Sequence, residues 1–231
     1  MEEHPRTRIE QLIREDGSAE LLDLAAGIHG HYCPGLALGI LAASHAMRSL
    51  DGRADGLEDL VAITETNNCF SDGIQVVTGC TFGNNGLVFL DLGKTAFTLA
   101  LRNGKALRYS ARPEAREKTR QRYAEYSDRY QEVVAQRRRD PELLREYFRL
   151  GRLRALAVLE FRAEDLFTIQ EAKPRLPEYA PSLPSLTCPQ CGEEFMQGRA
   201  ASDGHTCLAC SGEEIFTLEG SGIQNRRSWE L

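Results

Sequence analysis

No run of apolar residues in this chain is long enough to cross a bilayer. The longest strongly apolar run, Gly35 to Ala43, falls well short of the roughly 20 residues that a membrane-spanning helix needs. Met1-Glu2-Glu3-His4-Pro5 is acidic and polar and lacks the basic start and apolar middle of a secretory signal. The expected location is therefore the cytoplasm, with no membrane partner. A disulfide framework is also missing. The seven cysteines are odd in number; four form two CxxC pairs and three stand alone toward the N-terminus, a usage that points to metal binding or reactivity. There is no P-loop and no dinucleotide fingerprint, and Gly83-Asn84-Asn85-Gly86 reads as a turn. Nor is there an overall excess of positive charge: the formal net charge of −6 argues against nucleic acid as a partner.

What is present suits a core domain with a small appendage. The chain has 231 residues, 42% hydrophobic and 27% charged, which is ordinary for a globular protein able to bury a substantial core. The charge is uneven: from Arg108 to Arg162 there are 15 Lys/Arg against 9 Asp/Glu. That arginine-rich stretch reads as a solvated helix face, and Arg137-Arg138-Arg139 is too short for a nucleic-acid patch.

Apolar spacing predicts short helices at Ile9–Ile13 and Glu20–Leu24, and a mostly buried helix from Pro34 to about Leu50 with Cys33 as its N-cap. Leu60–Thr64 reads as a strand leading to Asn67-Asn68-Cys69, and Ser71 is placed to cap a helix from Asp72 to Thr78, closed by Gly79. Further strands are expected at 87–90, 96–101 and 106–109, the last two joined by an Asn103-Gly104 turn. The region from Pro113 to Phe161 is predicted helical, with Tyr123, Tyr126, Tyr130 and Val134 forming one apolar stripe, before a strand at 166–169 rejoins the sheet. Strands that follow helices without regular alternation give an α+β class, with an antiparallel sheet packed against helices. Five of the nine prolines fall between Pro174 and Pro189 and mark a stiff linker. The expected divisions are a core at 1–175, a linker at 176–185 and a four-cysteine module at 186–231.

The chemistry-bearing residues fall in two groups. Cys188 and Cys191, then Cys207 and Cys210 after fifteen intervening residues, match a four-thiolate structural zinc site. A module of this size buries little apolar surface, so the metal is expected to supply much of its folding free energy. In the core, His29, His31 and Cys33 alternate. An extended backbone would put them on one face, with neighbouring α-carbons about 7 Å apart, within reach of one divalent ion. Cys33 at a helix start is expected to ionise easily. Cys69 also opens a helix, with Asp72 and Gln75 on the same face, and Asp72 could act as ligand or base. Cys80, about 16 Å away at the other end of that helix, is either structural or belongs to a site across a dimer interface.

His29-Gly30-His31-Tyr32-Cys33-Pro34-Gly35, Cys69-Phe70-Ser71-Asp72-Gly73-Ile74-Gln75 and Thr78-Gly79-Cys80-Thr81-Phe82-Gly83 together resemble the FmdE family of formylmethanofuran dehydrogenase components over roughly residues 15 to 175. The resemblance implies an α+β core, often dimeric, and in some members a C-terminal treble-clef zinc finger. It places the family's motif positions on His29, His31, Cys33, Cys69, Asp72, Gln75 and Cys80. It also implies alanine more often than Gly73 at that position, so that Gly73 would loosen the start of its helix. The implied activity is linked to molybdenum- or tungsten-dependent C1 oxidoreduction, with other components of such an enzyme as partners. Two readings follow. In one, Cys33, Cys69 and Asp72 are catalytic residues of an enzyme or enzyme component acting on a small molecule, with a second divalent metal in the core. In the other, the same residues hold or deliver a metal in an accessory protein whose finger docks a partner.

Overall fold

A computed structural model describes residues 4–226; the residues Met1–Glu3 that bear on a secretory signal, and the last five residues of the 186–231 module, lie outside them. The chain divides into two compact units, Met1–Pro177 and Glu178–Leu231. Among the described residues, no helix is long and apolar enough to cross a membrane.

The first unit begins with helices α1 (Thr7–Arg14) and α2 (Ser18–His29). α2 outruns its expected end and closes at Gly30, whose φ of +89° is a left-handed cap that suits glycine. Helix α3 (Pro34–Leu50) starts as the sequence predicts, with Pro34 at its first position and the Leu36 N–H donating to Cys33 Sγ at 3.4 Å. Strand β1 (Leu60–Thr64) then leads into α4 (Cys69–Thr78). The cap of α4 is Asn68 rather than Ser71: its side-chain oxygen accepts the Phe70 N–H at 3.0 Å, while the Ser71 hydroxyl donates to the Thr66 carbonyl at 2.5 Å. Because Asn68 supplies the cap, the helix starts earlier than expected and includes Cys69.

α3 and α4 lie in direct backbone contact. A Cβ on Gly39 would stand 2.2 Å from the Phe70 carbonyl oxygen, and one on Gly73 2.5 Å from that of Leu36. Gly73 therefore does not loosen α4. It is one of two glycines that let the helices touch where an alanine would collide. A Cβ on Gly35 would lie 3.2 Å from Cys69 Cβ, and the same offset joins Gly39 to Gly73, so the helices run parallel with both N-termini together.

The remaining strands are β2 (Leu87–Phe89), β3 (Ala96–Leu101), β4 (Ala106–Ala111) and, after the helical insertion, β5 (Phe167–Glu171). Their order is β2-β1-β3-β4-β5. The sheet is not wholly antiparallel: β1 and β2 run parallel, because α4 and its following turn carry the chain back to the same end. The other three pairings are antiparallel, and Gly104 (φ +95°) forms the β3–β4 turn. Phe70 packs against Phe97 and Phe167, with ring centroids 6.0 Å apart in each case, and Phe97 stacks on Tyr109 at 5.2 Å. This aromatic cluster ties α4 to the sheet and contributes beyond its buried area.

The helical insertion comprises α5 (Ala115–Gln121), α6 (Glu125–Tyr130), a π-helical turn at Gln131–Ala135, α7 (Pro141–Leu159) and α8 (Ala163–Leu166). α7 begins at Pro141, where Asp140-Pro141-Glu142 is placed to restart a helix, but the stretch before it is not one continuous helix. Tyr123 adopts φ +55°, which breaks the periodicity, so the tyrosine stripe does not form: Tyr126 is buried, whereas Tyr123 and Tyr130 are exposed.

The second unit contains β6 (Ser185–Thr187) paired with β7 (Glu194–Met196), a short helix α9 (Leu208–Ser211), and β8 (Ile215–Glu219) paired with β9 (Gly222–Arg226). Two small hairpins around a cysteine cluster are compatible with a zinc ribbon. Cys188 and Ala201 are the buried apolar residues among those described in this unit.

Candidate metal centres

Residues 29 to 33 are not an extended strand. His29 closes α2, Gly30 turns the chain, and Cys33 is extended (φ −153°, ψ 159°) as the cap of α3. The turn nevertheless gathers the donors: one ligand atom each of His29, His31 and Cys33 lie within 4.8 Å of one another. The two imidazole rings have centroids 4.4 Å apart.

His29 is held from behind. Its Nδ1 lies 2.7 Å from Asp72 Oδ2, and Gln75 Nε2 donates to Asp72 Oδ1 at 3.2 Å. An Nδ1–H donated to the carboxylate leaves Nε2 with its lone pair free, 3.8 Å from Cys33 Sγ. Carboxylates that orient metal-binding imidazoles use this arrangement. Asp72 thus stands behind the histidine.

Cys69 stands at the start of α4, beside Gly35, next to this three-residue group but not within it. The thiols of Cys33 and Cys69 share a hydrogen bond, which together with the nearby His29 pulls Cys69 down to about 6 against an ordinary value of 9.0. The same bond, with burial, pushes Cys33 up. Loss of one proton from the pair is thereby favoured, and the positive ends of two helices are directed at it. Burial, and then the neighbouring His29, lowers His31, which favours its neutral, ligating form. Two imidazoles and a thiol, with a second thiol nearby, suit a borderline divalent ion.

Cys80 is buried beyond the end of α4 and lies within hydrogen-bonding distance of the Leu60 carbonyl (3.4 Å). It belongs to neither cysteine cluster.

An aromatic wall that the sequence does not announce stands opposite the histidines. His31 faces Tyr147 and Phe148, with centroids at 6.3 and 6.4 Å. Tyr126 stacks on Tyr147 at 5.4 Å, with their hydroxyls 3.4 Å apart, and burial pushes both phenols up. A Cβ on Gly151 would meet the Tyr32 carbonyl at 2.6 Å, so α7 lies close against the histidine turn. The only trace of this wall in the sequence is the tyrosine spacing, which reads as a packing stripe. The arginine-rich stretch also divides. Arg138 pairs with Glu132 and Asp140 at the surface, but Arg154 is buried, with 7% exposure.

In the second unit, one ligand atom each of Cys188, Cys191, Cys207 and Cys210 fall within 4.8 Å of one another. Backbone N–H groups of Cys207 and Cys191 point at the Cys188 sulfur and pull its thiol down to about 6. His205 stands aside, exposed, with Nδ1 2.9 Å from the Asp203 carbonyl oxygen.

Comparison with known proteins bears on the family and the fold. A family model described as "FmdE, Molybdenum formylmethanofuran dehydrogenase operon" matches residues 28–168, the span from the histidine turn to the last strand of the sheet. A probable S-adenosyl-L-methionine-binding protein of Archaeoglobus fulgidus is 35% identical over 208 residues, covering 88% of this chain and 55% of that protein. The chain thus spans about half the length of that relative. The crystal structure of an FmdE-like protein of the tungsten formylmethanofuran dehydrogenase type, from Syntrophus aciditrophicus, shares the fold, with a TM-score of 0.54 and 24% identity over 84% of this chain and 92% of that one.

Proposed function

This chain belongs to the FmdE family, and on that premise we propose that its core is a metal-dependent site, of an enzyme or an enzyme component, for a small molecule. His29, His31, Cys33 and Cys69 would hold a divalent ion, and the reaction would belong to molybdenum- or tungsten-linked C1 oxidoreduction. The observation that carries the reading is the Gln75–Asp72–His29 chain of hydrogen bonds, which aims an imidazole lone pair at Cys33. A purely structural histidine does not need that support. A bound ion would supply Lewis acidity or an acidified water. Asp72 fixes the His29 tautomer, Cys69 carries the negative charge of the thiol pair, and Tyr147 and Phe148 shield His31 from solvent. The four C-terminal cysteines would hold a separate structural zinc.

Metal analysis tests this reading. The intact chain is expected to contain two ions and Cys33→Ala one. A single ion in both proteins confines metal to the C-terminal cluster and rejects the core centre.

Exposed Met196 and Phe216 on the second unit favour a second reading, in which the protein is a metal-handling accessory whose finger docks a partner enzyme. A coordination position held by water would favour the enzyme; a core metal fully enclosed by protein ligands would favour the carrier. The description of the archaeal relative adds S-adenosyl-L-methionine to the ligands to be titrated.

A further inference from the structure

A cavity of about 700 Å³ lies between the start of α3, the end of β4 and helices α5 to α7. Pro34 and Gly35, which follow Cys33, form part of its wall, as do Tyr126 and Tyr130. Four arginines line it (Arg112, Arg116, Arg120 and Arg154) against one carboxylate, Glu117, which is already paired with Arg120 at 3.2 Å.

Arg154 is the informative member. It is more than nine-tenths buried, yet its Nε has no hydrogen-bond partner. Its guanidinium lies 5.2 Å from the Tyr126 ring centroid, and Nη1 donates to Ser127 Oγ at 3.3 Å. Among the described residues no carboxylate pairs with Arg154, Arg112 or Arg116, and the charges of Arg120 and Arg116 bear unfavourably on Arg154. A buried cation without a counterion is costly, and one left with an unmet N–H more so. The N-terminal amides of α3 do not provide the positive charge here, because those of Leu36 and Gly35 are directed at the Cys33 sulfur. The excess charge of the cavity comes from its arginines.

We infer that this cavity binds a small organic molecule through a doubly charged oxyanion group, a phosphate ester or a pair of carboxylates, with Arg154 and Arg116 as its principal contacts. The planar fork of arginine suits either group. Tyr126 and Tyr130 supply apolar wall for the rest of the molecule, and the volume suits a metabolite-sized ligand. The inference does not rest on the core metal.

Calorimetric titration of the full chain with inorganic phosphate and, separately, with succinate tests the assignment. At least one of the two is expected to bind saturably, and the stronger of the two identifies the source of the oxyanion. Arg154→Met, which keeps most of the side-chain stem, is expected to abolish that binding. Arg116→Gln, an exposed substitution with little bearing on folding, is expected to weaken it about tenfold, the loss of one charge-assisted contact. Cys33→Ala is expected to bind as the wild type does. The assignment is overturned if neither anion binds, or if Arg116→Gln binds as tightly as the wild type. Binding lost in Cys33→Ala but kept in Arg154→Met would move the anion to the metal centre and also overturn it.

Discussion

The two cysteine clusters are built on opposite plans. The core cluster is held by protein: two helices in backbone contact, a carboxylate behind a histidine, and an aromatic core beneath. The C-terminal cluster is held by two short hairpins that bury almost no apolar side chain. The first would keep its geometry without metal, and the second would depend on a metal for its structure. A site that exists before its ion can exchange that ion or leave a position open. A site that folds around its ion cannot.

The sharpest break of this comparison is treatment of the full chain with a chelator. Hydrogen exchange is expected to show residues 185–226 losing protection entirely while β1, β3 and α3 stay protected, because metal binding and folding would be one event only in the second unit. Equal loss in both units would erase the distinction. Next in size, Gly39→Ala pushes a methyl group into the Phe70 carbonyl and is expected to cost about 2–4 kcal/mol. Urea denaturation would show a lower midpoint for the core and an unchanged one for the C-terminal unit.

A pH test follows from the thiol pair. In metal-free protein, alkylation of Cys69, followed by peptide mapping, is expected to reach half its maximal rate near pH 6 and to fall away below it. The sign follows from the depressed value: the thiolate persists above about 6, whereas an unperturbed thiol would need pH near 9.0. Cys80, pushed up by burial, should stay unreactive at neutral pH, and Cys33→Ala should move the Cys69 midpoint upward. The smallest effect is expected from Asp72→Asn. It keeps the shape but weakens the hold on His29, lowering core metal affinity about 10–100-fold while leaving the C-terminal ion in place, as competition with a chromophoric chelator would show.

Local signals in the sequence are strong where a single residue decides the backbone. Pro34 after Cys33 marks the start of α3, and Asn103-Gly104 marks the β3–β4 turn. The helix at 69–78 is legible except for its first turn, where Asn68 and Ser71 compete as caps and only the tertiary bond from Ser71 to Thr66 separates them. The candidate ligands His29, His31 and Cys33 are legible as a cluster, although the expected strand is a helix end and a turn. The role of Asp72 is not legible, since its partner His29 lies 43 residues away. Nor are Tyr147, Phe148 and Arg154, because nothing local indicates that the arginine-rich insertion folds back over the histidine turn.

The glycine contact between α3 and α4 has a further consequence for Cys33 and Cys69. These residues stand at adjacent ends of two rods whose separation is fixed by backbone atoms. The bite of the thiol pair is therefore set by main chain, independently of the side chains around it. Substitutions in the insertion at 113–161 can reshape what lies opposite the sulfurs without changing the distance between them. A change in what this face of the molecule accepts would then leave the spacing of the two sulfurs as it is.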